Sequence, residues 1–98
     1  MVIERVEFSV IAGREADFEA AMERGGALLA AAPGCMSVTL ARGVERPDRY
    51  LLMLNWRCID DHSAFAGTDG FLEFRQLAGP FFAERPAMEH FQPVIDAD

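Results

Sequence analysis

The sequence predicts an α+β domain in which one antiparallel sheet is backed on a single face by helices. Three observations carry that prediction. Four short strand-like segments occur, two alternating apolar and polar residues and a third apolar on both faces, helical spacing fills the stretches after the first and third of them, and the resulting order is βαββαβ. At 98 residues the chain buries one core, so a single domain over 1–98 is expected.

Val2 to Ile11 alternates, with Val6, Phe8 and Val10 on one side and Arg5, Glu7 and Ser9 on the other, which predicts the first strand. After Gly13, the residues Phe18, Ala21, Met22, Gly25, Leu28, Leu29 and Ala32 recur at helical spacing. Gly25-Gly26 inside this helix predicts a bend or a close neighbour, and Pro33-Gly34 ends it. Cys35 to Arg42 predicts a second strand, followed by a turn over Gly43 to Arg49 that holds Pro47-Asp48.

Tyr50 to Arg57 predicts a third strand with two apolar faces: Tyr50, Leu52, Leu54 and Trp56 on one, Leu51 and Met53 on the other. One helical layer covers one face of a sheet, and a chain this short has no second layer to give. A second copy of the chain is therefore expected to cover the other face, making a homodimer.

Asp60 or Asp61 is expected to cap a short helix ending near Gly67. Thr68 or Asp69 is expected to cap a longer one carrying Phe71, Phe74, Ala78, Phe81 and Phe82 on one face. Met88 to Ile95 predicts a last strand, where Pro93 suits an edge or a bulge, and 96–98 is expected to fray. This is the split βαβ arrangement of ferredoxin-like domains.

The formal charge of −7, with basic residues scattered singly, argues against nucleic acid as a partner. No apolar run approaches the ~20 residues that span a bilayer, and the first residues do not read as a signal peptide, so a cytoplasmic protein without a membrane partner is expected. Cys35 and Cys58 are too few for a structural zinc site and too widely spaced for a C-x-x-C pair. A hairpin symmetric about residues 46–47 sets them opposite each other, although a reducing compartment favours free thiols.

The element order, the Pro33-Gly34-Cys35 step, the Tyr50-x5-Trp56 strand, Phe65 and Phe71 after it, and the closing Glu89-His90-Phe91 resemble the antibiotic biosynthesis monooxygenases over residues 2 to 95. That resemblance implies a dimeric α/β barrel, a pocket in each subunit between sheet and helices, and cofactor-independent oxygenation of aromatic polyketides or quinols, or else heme degradation. Heme-degrading members use an Asn on strand one, a Trp nine residues after the strand-three Trp and a His ten beyond that, where this chain has Val6, Phe65 and Arg75. Without that axial ligand, heme breakdown is not expected, and neither a metal nor another cofactor is. Leu54, Phe65 and Leu52 also stand where other members carry a Glu, a His and an Asn.

Oxygenation without a cofactor needs a base, a donor for the developing oxyanion and a dry aromatic cavity. His62 and His90 are the histidines available as base. The plainer alternatives are a surface or capping role for His62 and a structural hydrogen bond for His90. Trp56 is a candidate wall and hydrogen-bond donor, against core packing alone, and Arg75 a candidate anchor for an anionic substrate, against a solvated or salt-bridged arginine. Tyr50, Leu52, Leu54, Phe65, Phe71 and Phe74 are expected to line the pocket, while Asn55, of opposite parity, faces away. The expected ligands are a small aromatic or hydrophobic molecule and dioxygen. The competing readings are a non-catalytic dimeric module that binds a hydrophobic ligand, and an isomerase or lyase that works on a carbanion-forming substrate without oxygen.

Overall fold

The computed structural model describes residues 1–97; the expected fraying of Asp98 lies outside the described residues. The elements are β1 (Val2–Ser9), α1 (Glu15–Ala30), β2 (Cys35–Arg42), β3 (Arg49–Trp56), α2 (Ile59–Phe65), α3 (Asp69–Ala78) and β4 (Ala87–Phe91). They make one antiparallel sheet of order β2-β3-β1-β4, the ferredoxin-like arrangement. No helix among the described residues is long and apolar enough to cross a membrane.

The β1–β3 register pairs Glu4 with Leu54, Val6 with Leu52 and Phe8 with Tyr50, so the inner faces of the two central strands coincide. Phe8, Tyr50, Leu52, Leu54 and Trp56 are buried there against Phe18, Met22 and Leu29 of α1 and Phe65 of α2. Helices α1 and α3 pack on each other at Gly25, where a Cβ would stand 3.5 Å from the Phe74 ring and 3.0 Å from Met22 Sδ. The close-neighbour reading of that glycine is therefore the applicable one. Arg24 pairs with Glu73 across the same seam at 2.8 Å.

Several boundaries differ from expectation for local reasons. β1 stops at Ser9, and Val10 makes only a single bridge to Phe82. α2 follows Cys58 with no side-chain cap; Asp60 and Asp61 lie in its first turn, where carboxylates favour the helix dipole instead. Thr68 does cap α3, its Oγ1 accepting from Phe71 N at 3.2 Å. The helix ends at Ala78 because Gly79-Pro80 forms a 3-10 turn, which leaves Phe81 and Phe82 past it. β4 ends at Phe91, short of Ile95, since Gln92 precedes a proline and Pro93 has no N–H for the ladder.

A bulge between Cys35 and Ser37 pairs Cys35 with Trp56, so Cys58 falls beyond the hairpin and both thiols are free. The outer face of the sheet carries Met53 and Phe91, 36% and 41% exposed, beside half-buried Ile3 and Leu51. Asn55 lies on that face as its parity demands, donating to Ser37 Oγ at 2.6 Å.

Candidate active site

Between the inner face and the helices lies a cavity of about 410 Å³, within the ~300–1,000 Å³ common for small-molecule sites. Leu52, Leu54 and Trp56 form its floor, Phe65, Phe71 and Phe74 its helical wall, and Arg75 reaches it from α3. His62 lines it from α2. Its side chain is only 15% exposed, so His62 is neither a surface nor a capping residue.

Local geometry explains why α2 presents His62. The preceding Asp61 accepts two hydrogen bonds from the Arg57 guanidinium, at 3.0 and 3.1 Å, and its carboxylate lies over Gly34. Gly34 has φ +86°, a conformation side chains rarely adopt, and a Cβ there would collide with Asp61. The Arg57 amide also donates to Gly34 O at 2.8 Å. The turn before β2 and the start of α2 are thus tied together, and the neighbouring imidazole is aimed inward.

At this end of the cavity four side chains form a continuous chain. Trp56 Nε1 donates to Glu4 Oε1 at 2.9 Å, the same oxygen lies 3.3 Å from His62 Nε2, and His62 Nδ1 lies 2.7 Å from His90 Nε2. A carboxylate oxygen facing Nε2 requires a hydrogen on that nitrogen, so neutral His62 accepts at Nδ1 and His90 Nε2–H donates to it. Burial pushes the His62 pKa below its ordinary 6.5, the Glu4 carboxylate opposes that push, and the second imidazole adds to it. His62 is therefore a neutral imidazole at pH 7, its lone pair at Nδ1 engaged by His90, with a carboxylate placed to stabilise an imidazolium.

Three sequence expectations look different in this geometry. The Trp56 N–H is committed to Glu4, so the indole walls the cavity without a hydrogen to offer a ligand. His90 touches His62 without lining the cavity. Tyr50 does not line it either: its ring stacks near Phe8 and crosses Phe18 edge-on, and its hydroxyl donates to Glu19 Oε2 at 2.6 Å.

Two further residues escaped the sequence reading. Glu4, only 7% exposed, was signalled by parity, because Val2, Glu4, Val6 and Phe8 share one side of β1. A lone acid on an apolar face needs a partner. Arg85, in the connection before β4, also lines the cavity, and no local pattern marks it.

Fold and cavity together define a small ferredoxin-like domain with an aromatic chamber between sheet and helices. The chain belongs to the antibiotic biosynthesis monooxygenase family, whose model matches residues 1–77. It is 30% identical to the uncharacterized protein YczJ of Bacillus subtilis over 95 residues, covering 96% of this chain and 100% of that one. A Bordetella bronchiseptica protein assigned to the same family superposes with a TM-score of 0.90 at 40% identity, covering 96% of this chain and 97% of that one. SnoaB of Streptomyces nogalater, a cofactor-independent oxygenase, superposes with a TM-score of 0.86 at 23% identity, over 97% of this chain and 94% of that one, which is a likeness of fold.

Proposed function

We propose that this protein is a cofactor-independent monooxygenase for a small aromatic substrate with an acidic C–H or O–H, of the anthrone or quinol type. The observation that carries the reading is the neutral His62 imidazole set in the wall of an aromatic cavity and backed by Glu4. Family membership supports oxygenase chemistry, and the cofactor-independent activity of SnoaB suggests the cofactor-free version of it.

In this reading substrate binding releases the His90 hydrogen bond from His62 Nδ1, and that nitrogen takes a proton from the substrate and leaves an electron-rich carbanion inside the apolar chamber. The carbanion passes one electron to dioxygen, the two radicals combine into a C–O bond, and the resulting peroxide carries both oxygen atoms. Loss of the remaining C–H proton and cleavage of the O–O bond give the ketone. The imidazolium proton first caps the peroxide, and His62 then takes the remaining C–H proton and delivers it to the leaving hydroxide, so a methylene and dioxygen become a carbonyl and water with no external electrons. Glu4 stabilises the imidazolium, and the burial of the aromatic walls keeps water from the carbanion. His90, hydrogen-bonded to His62 and outside the cavity, holds the imidazole in the tautomer whose acceptor is Nδ1.

Oxygen uptake with an anthrone or quinol by the purified protein tests this. His62→Gln is expected to lose about 10²–10⁴-fold in turnover, the usual contribution of a positioned base. An unchanged rate would sink the assignment of His62. We also infer a homodimer formed through the open face of the sheet, where Met53 and Phe91 are exposed. Sedimentation at micromolar concentration should give twice the chain mass, and Met53→Asp should shift it toward the monomer.

A further inference from the structure

The chamber carries opposite charges, and their placement bears on what enters it. Glu4 contributes a carboxylate at the Trp56–His62 end, whereas Arg75 and Arg85 bring two guanidinium groups to the lining. In a chain of formal charge −7, arginines normally find carboxylates, and Arg5, Arg14, Arg24, Arg42, Arg49 and Arg57 do. Among the described residues Arg46, Arg75 and Arg85 pair with none, and of these three Arg75 and Arg85 line the cavity. Arg75 instead lies over the Phe71 ring, 5.8 Å from its centroid.

The two ends are also separated along the sheet. His90 pairs with Glu4 across β4 and β1, while Arg85 precedes the first residue of β4, Ala87. At roughly 3.3 Å per residue, Ala87 to His90 alone spans about 10 Å. From Trp56 the rings of Phe65 and Phe71 follow at centroid spacings of 5.9 and 5.7 Å, and Arg75 comes next. An apolar path of aromatic rings thus joins the histidine end to a guanidinium.

We propose that the substrate is a planar aromatic molecule bearing a carboxylate, held by Arg75 and Arg85 with its reacting C–H or O–H turned toward His62. The inference rests on the oxygenase reading for the identity of the reacting end, and on the charges for the rest. The Glu4 carboxylate repels the anionic end of such a ligand, the two arginines attract it, and the orientation follows.

The test is binding of a matched pair of probes, 6-hydroxy-2-naphthoate and its methyl ester, followed without oxygen by quenching of the single tryptophan, Trp56. The acid should bind about tenfold more tightly than the ester, and added salt should erode the difference. In the Arg75→Gln/Arg85→Gln double variant the preference should vanish while the ester binds as before; both side chains are exposed, so the fold should tolerate the change. Equal binding of the two probes, no binding of either, or a preference that survives the double substitution would overturn the proposal. Because these arms involve no turnover, a preserved preference in a protein that takes up no oxygen counts against the oxygenase reading alone. Oxygen uptake without the preference counts against this one alone.

Discussion

β3 ends in two aromatic residues that look equivalent and behave differently. Tyr50 and Trp56 are both buried on the inner face, and each donates a hydrogen bond to a glutamate. Tyr50 bonds to Glu19 of α1, whose side chain is 45% exposed and also within reach of Arg42, so that end closes over a partner that keeps its solvent. Phe8, Phe18, Phe81 and Phe82 pack around it, and Phe8, Phe18 and Phe82 reach on to the cavity while Tyr50 does not. Trp56 bonds to Glu4 of β1, which is buried, and the room beyond it is the cavity. A glutamate from the helix surface makes a peg, and one from the sheet makes a charge held inside an apolar chamber.

The sharpest way to break this contrast is to remove the two donors in turn. Trp56→Phe deprives a buried carboxylate of a hydrogen bond and leaves a void, so a loss of about 3 kcal/mol in unfolding free energy is expected. Tyr50→Phe leaves Glu19 free to bond water and is expected to cost only about 0.5–1.5 kcal/mol. Urea unfolding of both variants measures the difference. Equal losses would mean that Glu4 is as well hydrated as Glu19, and the chemistry assigned to its end would lose its dry setting.

Why one end was legible in the sequence and the other was not follows from the same residues. Alternation in β1 and β2 predicted those strands, because burial on one face leaves a period of two, and in the doubly apolar β3 the same parity put Tyr50, Leu52, Leu54 and Trp56 on one face. Parity assigns a face, however, and says nothing of position along it. Tyr50 and Trp56 therefore looked alike, though six residues of strand separate packed core from cavity wall. The inward turn of His62 was hidden because it depends on Asp61 meeting Gly34, which lie far apart in the chain. The early end of β4 was readable from Pro93 and Gln92, but the apolar Val94 and Ile95 drew the expected strand past it.

A second, smaller effect concerns pH at the Trp56 end. The folded pKa of His62 is held below its unfolded 6.5, so its contribution to stability is complete above about pH 6.5 and is lost as the pH falls through the lower folded value. The acid limb of kcat/KM should accordingly fall below pH 6.5. Glu4→Gln removes the charge that holds the pKa up and should move that limb further down. His90→Gln removes an imidazole that pushes it down and should move the limb up. A limb at 6.5 that ignores both substitutions would detach His62 from the chain of groups described around it.

The smallest effect is also the cleanest, because Tyr50 is the only tyrosine and its ionisation reads the closed end alone. Burial raises its pKa to about 12, the hydrogen bond to Glu19 and that carboxylate's charge add to the rise, and Arg42 opposes it. A raised acid pKa stabilises the fold fully below the unfolded value of 10 and loses that contribution as the pH climbs toward 12. Tyrosinate absorbance should therefore reach its midpoint near 12. Glu19→Gln removes a charge that disfavours the phenolate and should lower the midpoint toward 10, the ordinary value. Glu4→Gln should leave it in place, since the two carboxylates serve opposite ends of β3. A midpoint that answers to Glu4 would mean the ends are coupled through the sheet, and the division between packed peg and reactive chamber would then be one of degree.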